Sequence, residues 1–368
     1  MTSVFPPTYA QARSEFRGAA ARRGAVQRTF PLPGRFGPDG GTLSVDTAYL
    51  GPERPSRLLV TVSGTHGVEG FAGAACQTRI QLGEGLAASG DPAVGFLMVH
   101  ALNPFGFAYL RRVNEDNVDL NRNFVDHSAP PHNDAYERVH AALLDGTGGG
   151  IPSAAFVARI RDLADVLGLR DFQEAVSHGQ YRHADGLFYG GREPAWSHQV
   201  LRTIVAEQIA GTPRIAYIDL HTGLGPRGVG EAIFRGGRDA GALDRAGDWY
   251  GPGVTNSDQG TSSSTPIVGN TAAAVADGLR GGEELTAITL EFGTLPAQEV
   301  LLGLCADNRL HLALDPVAAF GAPEKRLIRA AFCPDGDELW RGQVLRRARE
   351  VFTLAIAGLT GRTVARAS

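Results

Sequence analysis

Residues 57–70 read RLLVTVSGTHGVEG. The first seven form a short, β-branched apolar run that Gly64 ends, the pattern of a strand buried on both faces. Polar groups follow at once. His66 and Glu69 stand three residues apart, among glycines that permit a tight turn. Three further runs have the same character: 95–101 (GFLMVHA), followed by Asn103-Pro104, then 215–220 (IAYIDL) and 285–291 (LTAITLE). Helix-like stretches accompany them at 70–82, 133–144 and 195–209. That alternation predicts an α/β fold, a mixed and mostly parallel sheet covered by helices on both faces. Residues 337–359 place apolar side chains at helical spacing against arginines, as in a closing amphipathic helix. The Gly/Pro/Ser-rich stretches 147–153 and 251–265 read as loops, and neither separates two complete patterns. Residues 1–368 are therefore expected to form one domain, with its core motifs in 55–300 and a helical closure in 320–368.

The composition narrows the function classes. The 368 residues are 43% hydrophobic and 20% charged, as in a globular protein with a sizeable core. A net charge of -4 leaves no basic surplus to neutralise phosphates, so nucleic acid is excluded as an expected partner. Cys76, Cys305 and Cys333 form no C-x-x-C pair and leave an odd thiol, which fits a reducing cytoplasm. No apolar run approaches the ~18 residues of a membrane span. Residues 1–30 carry arginines but no continuous apolar core. A surface amphipathic helix over 9–21 accounts for them better than a targeting segment does.

In open α/β sheets ligands gather beyond the carboxyl ends of the strands, and here every such end delivers polar groups. The first leads to His66 and Glu69. The second leads through Asn103-Pro104-Phe105-Gly106 to Arg111, Arg112 and the run 118–124 (VDLNRNF). The third carries Asp219 and His221, and the fourth ends at Glu291. A catalytic zinc takes three ligands from His, Asp, Glu or Cys and keeps one position open. His66 and Glu69 alone are a weak signal, but His221 ends an apolar strand where an imidazole has no other reason to be. Asp219 shares a strand face with His221; it either orients that ring or caps the following turn. Glu291 ends a run too apolar for an idle carboxylate and suits a general base.

These residues in this order resemble the zinc carboxypeptidase superfamily: His66-x-x-Glu69, Asn103-Pro104-x-Gly106, Arg112, the run 118–124, His221 and Glu291. Asp219-Leu220-His221-Thr222 is similar to the aspartoacylase and succinylglutamate desuccinylase branch. The resemblance implies one zinc per chain on His66, Glu69 and His221. It implies that Asn121 and Arg122 grip a substrate carboxylate, that Arg112 polarises the scissile carbonyl, with Arg111 as its alternative, and that Glu291 is the base. The implied activity is hydrolysis, by zinc-activated water, of an amide bond next to a terminal carboxylate in a small peptide or amino-acid conjugate. Two features depart from the pattern. The stretch 254–270, where classical carboxypeptidases carry a loop tyrosine, has none, and Tyr250 lies off the expected place. No strand pattern follows Phe320, where deacylase relatives add a β-domain. A deacylase of small N-acyl amino acids is the second reading, and a non-catalytic binding module the third.

Other residues take ordinary expectations. His100 reads as a satisfied core histidine, and His127, His132, His178, His183 and His198 as solvent-facing. The aromatic patch 186–191 (GLFYGG) reads as core packing, Glu283-Glu284 as a solvated pair, and Ser63 lacks the G-x-S-x-G context of a nucleophile.

Overall fold

The computed structural model describes residues 5–84, 91–144, 150–237 and 239–362. Eight strands make one sheet: β1 (Val26–Phe36), β2 (Thr42–Leu50), β3 (Arg57–Ser63), β4 (Val94–His100), β5 (Arg214–Arg227), β6 (Glu231–Phe234), β7 (Thr255–Asn256) and β8 (Glu284–Gly293). Their order is β1-β2-β4-β3-β5-β8-β6-β7. The centre, β4-β3-β5-β8, is parallel throughout. The flanks turn antiparallel where β2 meets β1 and β4, and where β6 meets β8. Alternate residues of the centre feed two cores. Leu59, Met98, Ile218 and Ile288 face one, and Leu58, Val60, Tyr217 and Ala287 face the other, the two-residue period of a strand covered on both sides.

Helices supply the covers. On the first face lie α1 (Tyr9–Arg22), α2 (Gly70–Ala75) with its wider continuation to Gly83, and the long closing helix α9; six further numbered helices stand between α2 and α9. These are α3 (Ala154–Leu167), α4 (Leu169–Ser177), α5 (Trp196–Ile204), α6 (Thr271–Gly278), α7 (Ala297–Ala313) and α8 (Glu324–Phe332); α9 itself is Glu338–Thr360. The second face is covered by α5 and α6. Side-chain caps start these helices where the sequence offers them: Thr8 accepts from Gln11 N, Ser153 from Phe156 N and Asp337 from Trp340 N. Gly361, at φ +67, ends α9 in the left-handed conformation a glycine favours. Trp340 is fully buried and donates Nε1–H to Gly293 O at 2.8 Å, which fastens α9 to the end of β8.

Several expectations change in detail. The stretch 133–144 is two short helices, Asp134–Glu137 and His140–Leu144. The third apolar run does not stop near His221: β5 continues through TGLGPR to Arg227, where glycines let the chain bulge and pair again with Gly293. The N-terminal helix buries Tyr9, Phe16 and Ala20 against the sheet. His100 is a core residue, as read, but not a satisfied one. Its ring stacks on Phe16 at 4.5 Å, its nitrogens have no hydrogen-bond partner among the described residues, and burial lowers its pKa to about 4. His198 is buried rather than solvent-facing, against Asn123 O and Phe124. Glu284 pairs with Arg214 at 2.5 Å, so the Glu283-Glu284 pair is not simply solvated. The expected loop 147–153 lies partly outside the described residues. The three cysteines are buried and free, and no helix among the described residues is long and apolar enough to cross a membrane.

One contact fixes the loops beyond the strand ends. Gly67 N–H and Val68 N–H donate to Arg112 O and Arg111 O at 3.1 and 2.8 Å. A Cβ on Gly67 would fall 2.0 Å from Gly106 C and 2.2 Å from Phe107 N, both rigid backbone. Gly67→Ala should therefore destabilise the fold by about 2–4 kcal/mol, as overpacking against backbone does. Gly247→Ala, in the helix Ala242–Tyr250 with open space around its Cβ, should be neutral or stabilise by up to about 1 kcal/mol. Chemical denaturation of the two variants checks the contrast in sign.

Candidate metal centre

The parallel register of β5 and β8 sets His221 beside Glu291. Beyond the end of β3, Gly67–Glu69 makes one tight helical turn that faces Glu69 back onto His66. Three buried groups converge as a result. His66 Nδ1 lies 2.8 Å from Glu69 Oε1, His221 Nδ1 lies 2.9 Å from Glu69 Oε2, and the two Nδ1 atoms are 3.1 Å apart. The far side of each ring meets another carboxylate: Asp119 Oδ1 at 3.1 Å from His66 Nε2, and Asp219 Oδ2 at 2.8 Å from His221 Nε2. Asp219 is itself fixed by the Thr65 and Thr271 hydroxyls at 2.8 Å each, so it orients the ring rather than capping a turn.

Both nitrogens of each ring therefore face a carboxylate. With a cation at the centre, each Nε2 would keep its hydrogen towards Asp119 or Asp219, and each Nδ1 would present a lone pair beside the Glu69 carboxylate. The donor set, two imidazoles and a carboxylate braced from behind, fits zinc. In a metal-free chain a proton takes that place. Burial lowers the His221 pKa, but Asp219 and Glu69 outweigh it and raise it to about 10. Burial likewise raises Glu69, but the His66 and His221 charges prevail and hold its carboxyl well below the usual range. Glu291 behaves oppositely: burial first, then the Glu69 charge, pushes it up to about 7.

Glu291 and the two histidines open onto a cavity of about 390 Å³ that Arg112, Asn121 and Arg122 also line. Arg112 donates to Glu69 Oε1 at 2.9 Å and to Asp119 Oδ2 at 3.1 Å. Arg111 turns away, buried against Asp307 and Asn117, so Arg112 is the arginine in the cavity. Asn121 accepts from Thr271 N–H and sets its amide 3.3 Å from His221 Nε2. Arg122 is braced by Ser177 O and Asn121 O. Phe188 lies under both guanidiniums, at 5.1 and 5.4 Å, and lines the cavity, which corrects the expectation of plain core packing for 186–191.

Three features escaped the sequence reading. Asp119 stands within the most distinctive motif yet was given no role, although a carboxylate between two arginines needs one. Arg235 lines the cavity from just beyond β6. The segment α3–α4 and helix α7 build an apolar wall with Ile160, Ala164, Phe172, Val176 and Leu304. Tyr250 is buried and does not line the cavity, while Ser264 and Ile267 from the tyrosine-free stretch do. One other histidine–carboxylate group among the described residues, His140, His183 and Asp185, is partly exposed and lies outside the cavity.

The family described as "Protein of unknown function (DUF2817)" matches residues 5–347. No curated protein matches the chain in sequence. Among solved structures it is similar to carboxypeptidase A from Helicoverpa armigera, at 13% identity over 85% of this chain and 73% of that one, with a TM-score of 0.42. It is similar also to the murein-tripeptide amidase MpaA from Escherichia coli O157, at 18% identity over 84% and 93%, TM-score 0.33. A third is the ectoine utilization protein EutE (DoeB) from Ruegeria pomeroyi, at 14% over 78% and 67%, TM-score 0.35.

The electrostatics yield a test of the centre that needs no substrate. A folded-state pKa of about 10 for His221, above the unfolded value of about 6.5, stabilises the metal-free fold fully below that lower value. The contribution is lost as pH climbs through about 10. At pH 7.5 zinc must displace that proton, so uptake by chelator-stripped protein should release about one proton. Calorimetry in buffers of different ionisation enthalpy measures it. His221→Ala should abolish both binding and release. Zinc uptake by the wild-type protein with no proton released would count against the assignment.

Proposed function

The chain belongs to the DUF2817 family, and we propose that it is a zinc-dependent amide hydrolase acting next to a free carboxylate. The observation that carries this reading is the cavity on which His66 and His221 of the His66–Glu69–His221 triad, Glu291, Arg112, Arg122 and Arg235 meet. The motif resemblance to zinc carboxypeptidases supports the same roles. The chemistry supplied by zinc at the triad is Lewis acidity, towards a carbonyl and towards water.

The protein's own groups do the rest. Glu291 Oε1 accepts Leu224 N–H at 3.0 Å, which leaves Oε2 to take a proton from water and return it to the leaving amide nitrogen. A carboxylate whose pKa burial has raised suits both halves of that transfer. Arg112, held by Glu69 and Asp119 with its guanidinium in the cavity, stabilises the negative charge that develops on the carbonyl oxygen. Arg122 and Asn121 hold the substrate's carboxylate, which limits cleavage to the bond beside it. The group on the other side of that bond is either peptidyl or acyl, and the apolar wall of α3, α4 and α7 favours an apolar acyl group.

Glu291→Gln should keep its zinc and lose on the order of a hundredfold or more in turnover, measured alongside metal content. Arg122→Met should cost an acid substrate about 3–5 kcal/mol in kcat/KM while barely changing the already poor carboxamide. A brace for the fold would instead lower both equally and depress the melting temperature. The four kcat/KM values, acid and amide on wild type and variant, separate the two.

A further inference from the structure

The cavity holds more positive charge than one carboxylate requires. Arg112 and Arg122 are answered from within the fold. Arg112 pairs with Glu69 and Asp119, and Arg122 lies 4.0 Å from Asp119. Arg235 has no such answer. Its Nε, Nη1 and Nη2 donate to Thr289 Oγ1 at 3.2 Å, Ser257 Oγ at 3.0 Å and Ser264 Oγ at 3.1 Å. Among the described residues no carboxylate lies within ion-pair distance of it. All three hydroxyl partners are buried. Three neutral acceptors aim a guanidinium without neutralising it. Of its five N–H groups two remain, one on each Nη, available to an anion.

Its place is equally specific. Thr289 precedes Glu291 by two residues on β8, so both point to the same face, about 7 Å apart along the strand. Arg235 follows β6, which pairs antiparallel with β8, Phe234 opposite Ile288. The guanidinium thus lies one pleat deeper than the base, while Arg122 holds another wall of the same cavity. Burying a cation with no carboxylate in direct contact is costly, and burial lowers the Arg235 pKa against the more distant charges of Glu291, Asp219, Asp258 and Glu231. A substrate that brings its own second anion reduces that cost.

We propose that Arg235, aimed by Thr289, Ser257 and Ser264, forms a second anion subsite that takes the side-chain carboxylate of an acidic residue on the released side of the scissile bond. The substrate class is then an acylated or peptidyl acidic amino acid, with its α-carboxylate on Arg122 and its side-chain carboxylate on Arg235. This deepens the amide-hydrolase reading and rests on it for the position of the scissile bond.

Free glutamate and glutamine, which differ only in that side-chain charge, are the probes. Calorimetric titration of the zinc-loaded protein should show glutamate bound on the order of a hundredfold more tightly than glutamine, since a site built for a charged partner rejects the neutral analogue strongly. Arg235→Met should collapse the ratio towards one, and Arg235→Lys, which keeps charge but loses the fork, should recover part of it. Equal affinity of the wild-type protein for the two, no measurable glutamate binding, or a preference that survives Arg235→Met would each overturn the subsite. Hydrolysis of N-acetylglutamate against N-acetylglutamine separates the two levels of the argument. Cleavage of both at equal kcat/KM removes the subsite and keeps the hydrolase. Arg235-dependent glutamate binding with no cleavage of these conjugates, of a longer-chain N-acylglutamate or of a dipeptide ending in glutamate removes the hydrolase reading and keeps the subsite.

Discussion

Three ligand-type side chains brought together at a sheet end organise this molecule. His66, Glu69 and His221 direct two imidazole nitrogens and a carboxylate to one point, where Arg112 and a proton on His221 are the positive charges that the protein itself supplies. Much of the surrounding architecture serves to keep those groups from relaxing apart. Asp119 and Asp219 each lock the outer nitrogen of one imidazole. Arg112 and the backbone N–H of Thr222 hold the two oxygens of Glu69. The polar groups around this point are therefore connected to one another, which gives a group of charged residues at a sheet end one arrangement rather than several.

The remainder of the structure divides labour along physical lines. The parallel centre of the sheet is rigid, buried on both faces and continuous with the candidate ligands, and it determines where they converge. The contact of Gly67 with the backbone of Gly106 and Phe107 transmits that rigidity to the loops that carry Glu69 and Arg112. The segment α3–α4 contributes no strand and packs through its own small core with α7 and α8. It shapes one wall of the cavity, and its core reaches the turn of the candidate ligands at Val68, between His66 and Glu69.

How much of this was legible in the sequence follows from where each signal resides. The four central strands are apolar at nearly every position, so β3, β4, β5 and β8 could be read directly, together with the polar residues at their ends. Strand β1 could not: most of its positions are exposed and it contains Pro31 and Pro33, while β6 and β7 are too short to display a period. The triad combined a tight local spacing with a histidine in an apolar run, both visible in one dimension. Arg235 had no such mark. It is one arginine after a four-residue strand, and its partners lie 22, 29 and 54 residues away. The run-on of β5 past His221 was hidden by glycines that read as a turn and serve as a bulge. The choice between Arg111 and Arg112 turned on which side chain the clamped loop directs inward.

The sequence separation of the triad bears on how the protein comes to exist. His221 lies 155 residues from His66 and 152 from Glu69, and the three meet only after β3 and β5 have paired in parallel register. Non-local pairing of that kind is slow to form, because a long loop must close before any contact rewards it. A metal ion therefore cannot template the early stages, as it does in small domains whose ligands are local in sequence. If the triad holds an ion, the emerging chain must assemble its sheet first and take up that ion last, through a folded, metal-free stage in which a proton on His221 occupies the space between the ligands.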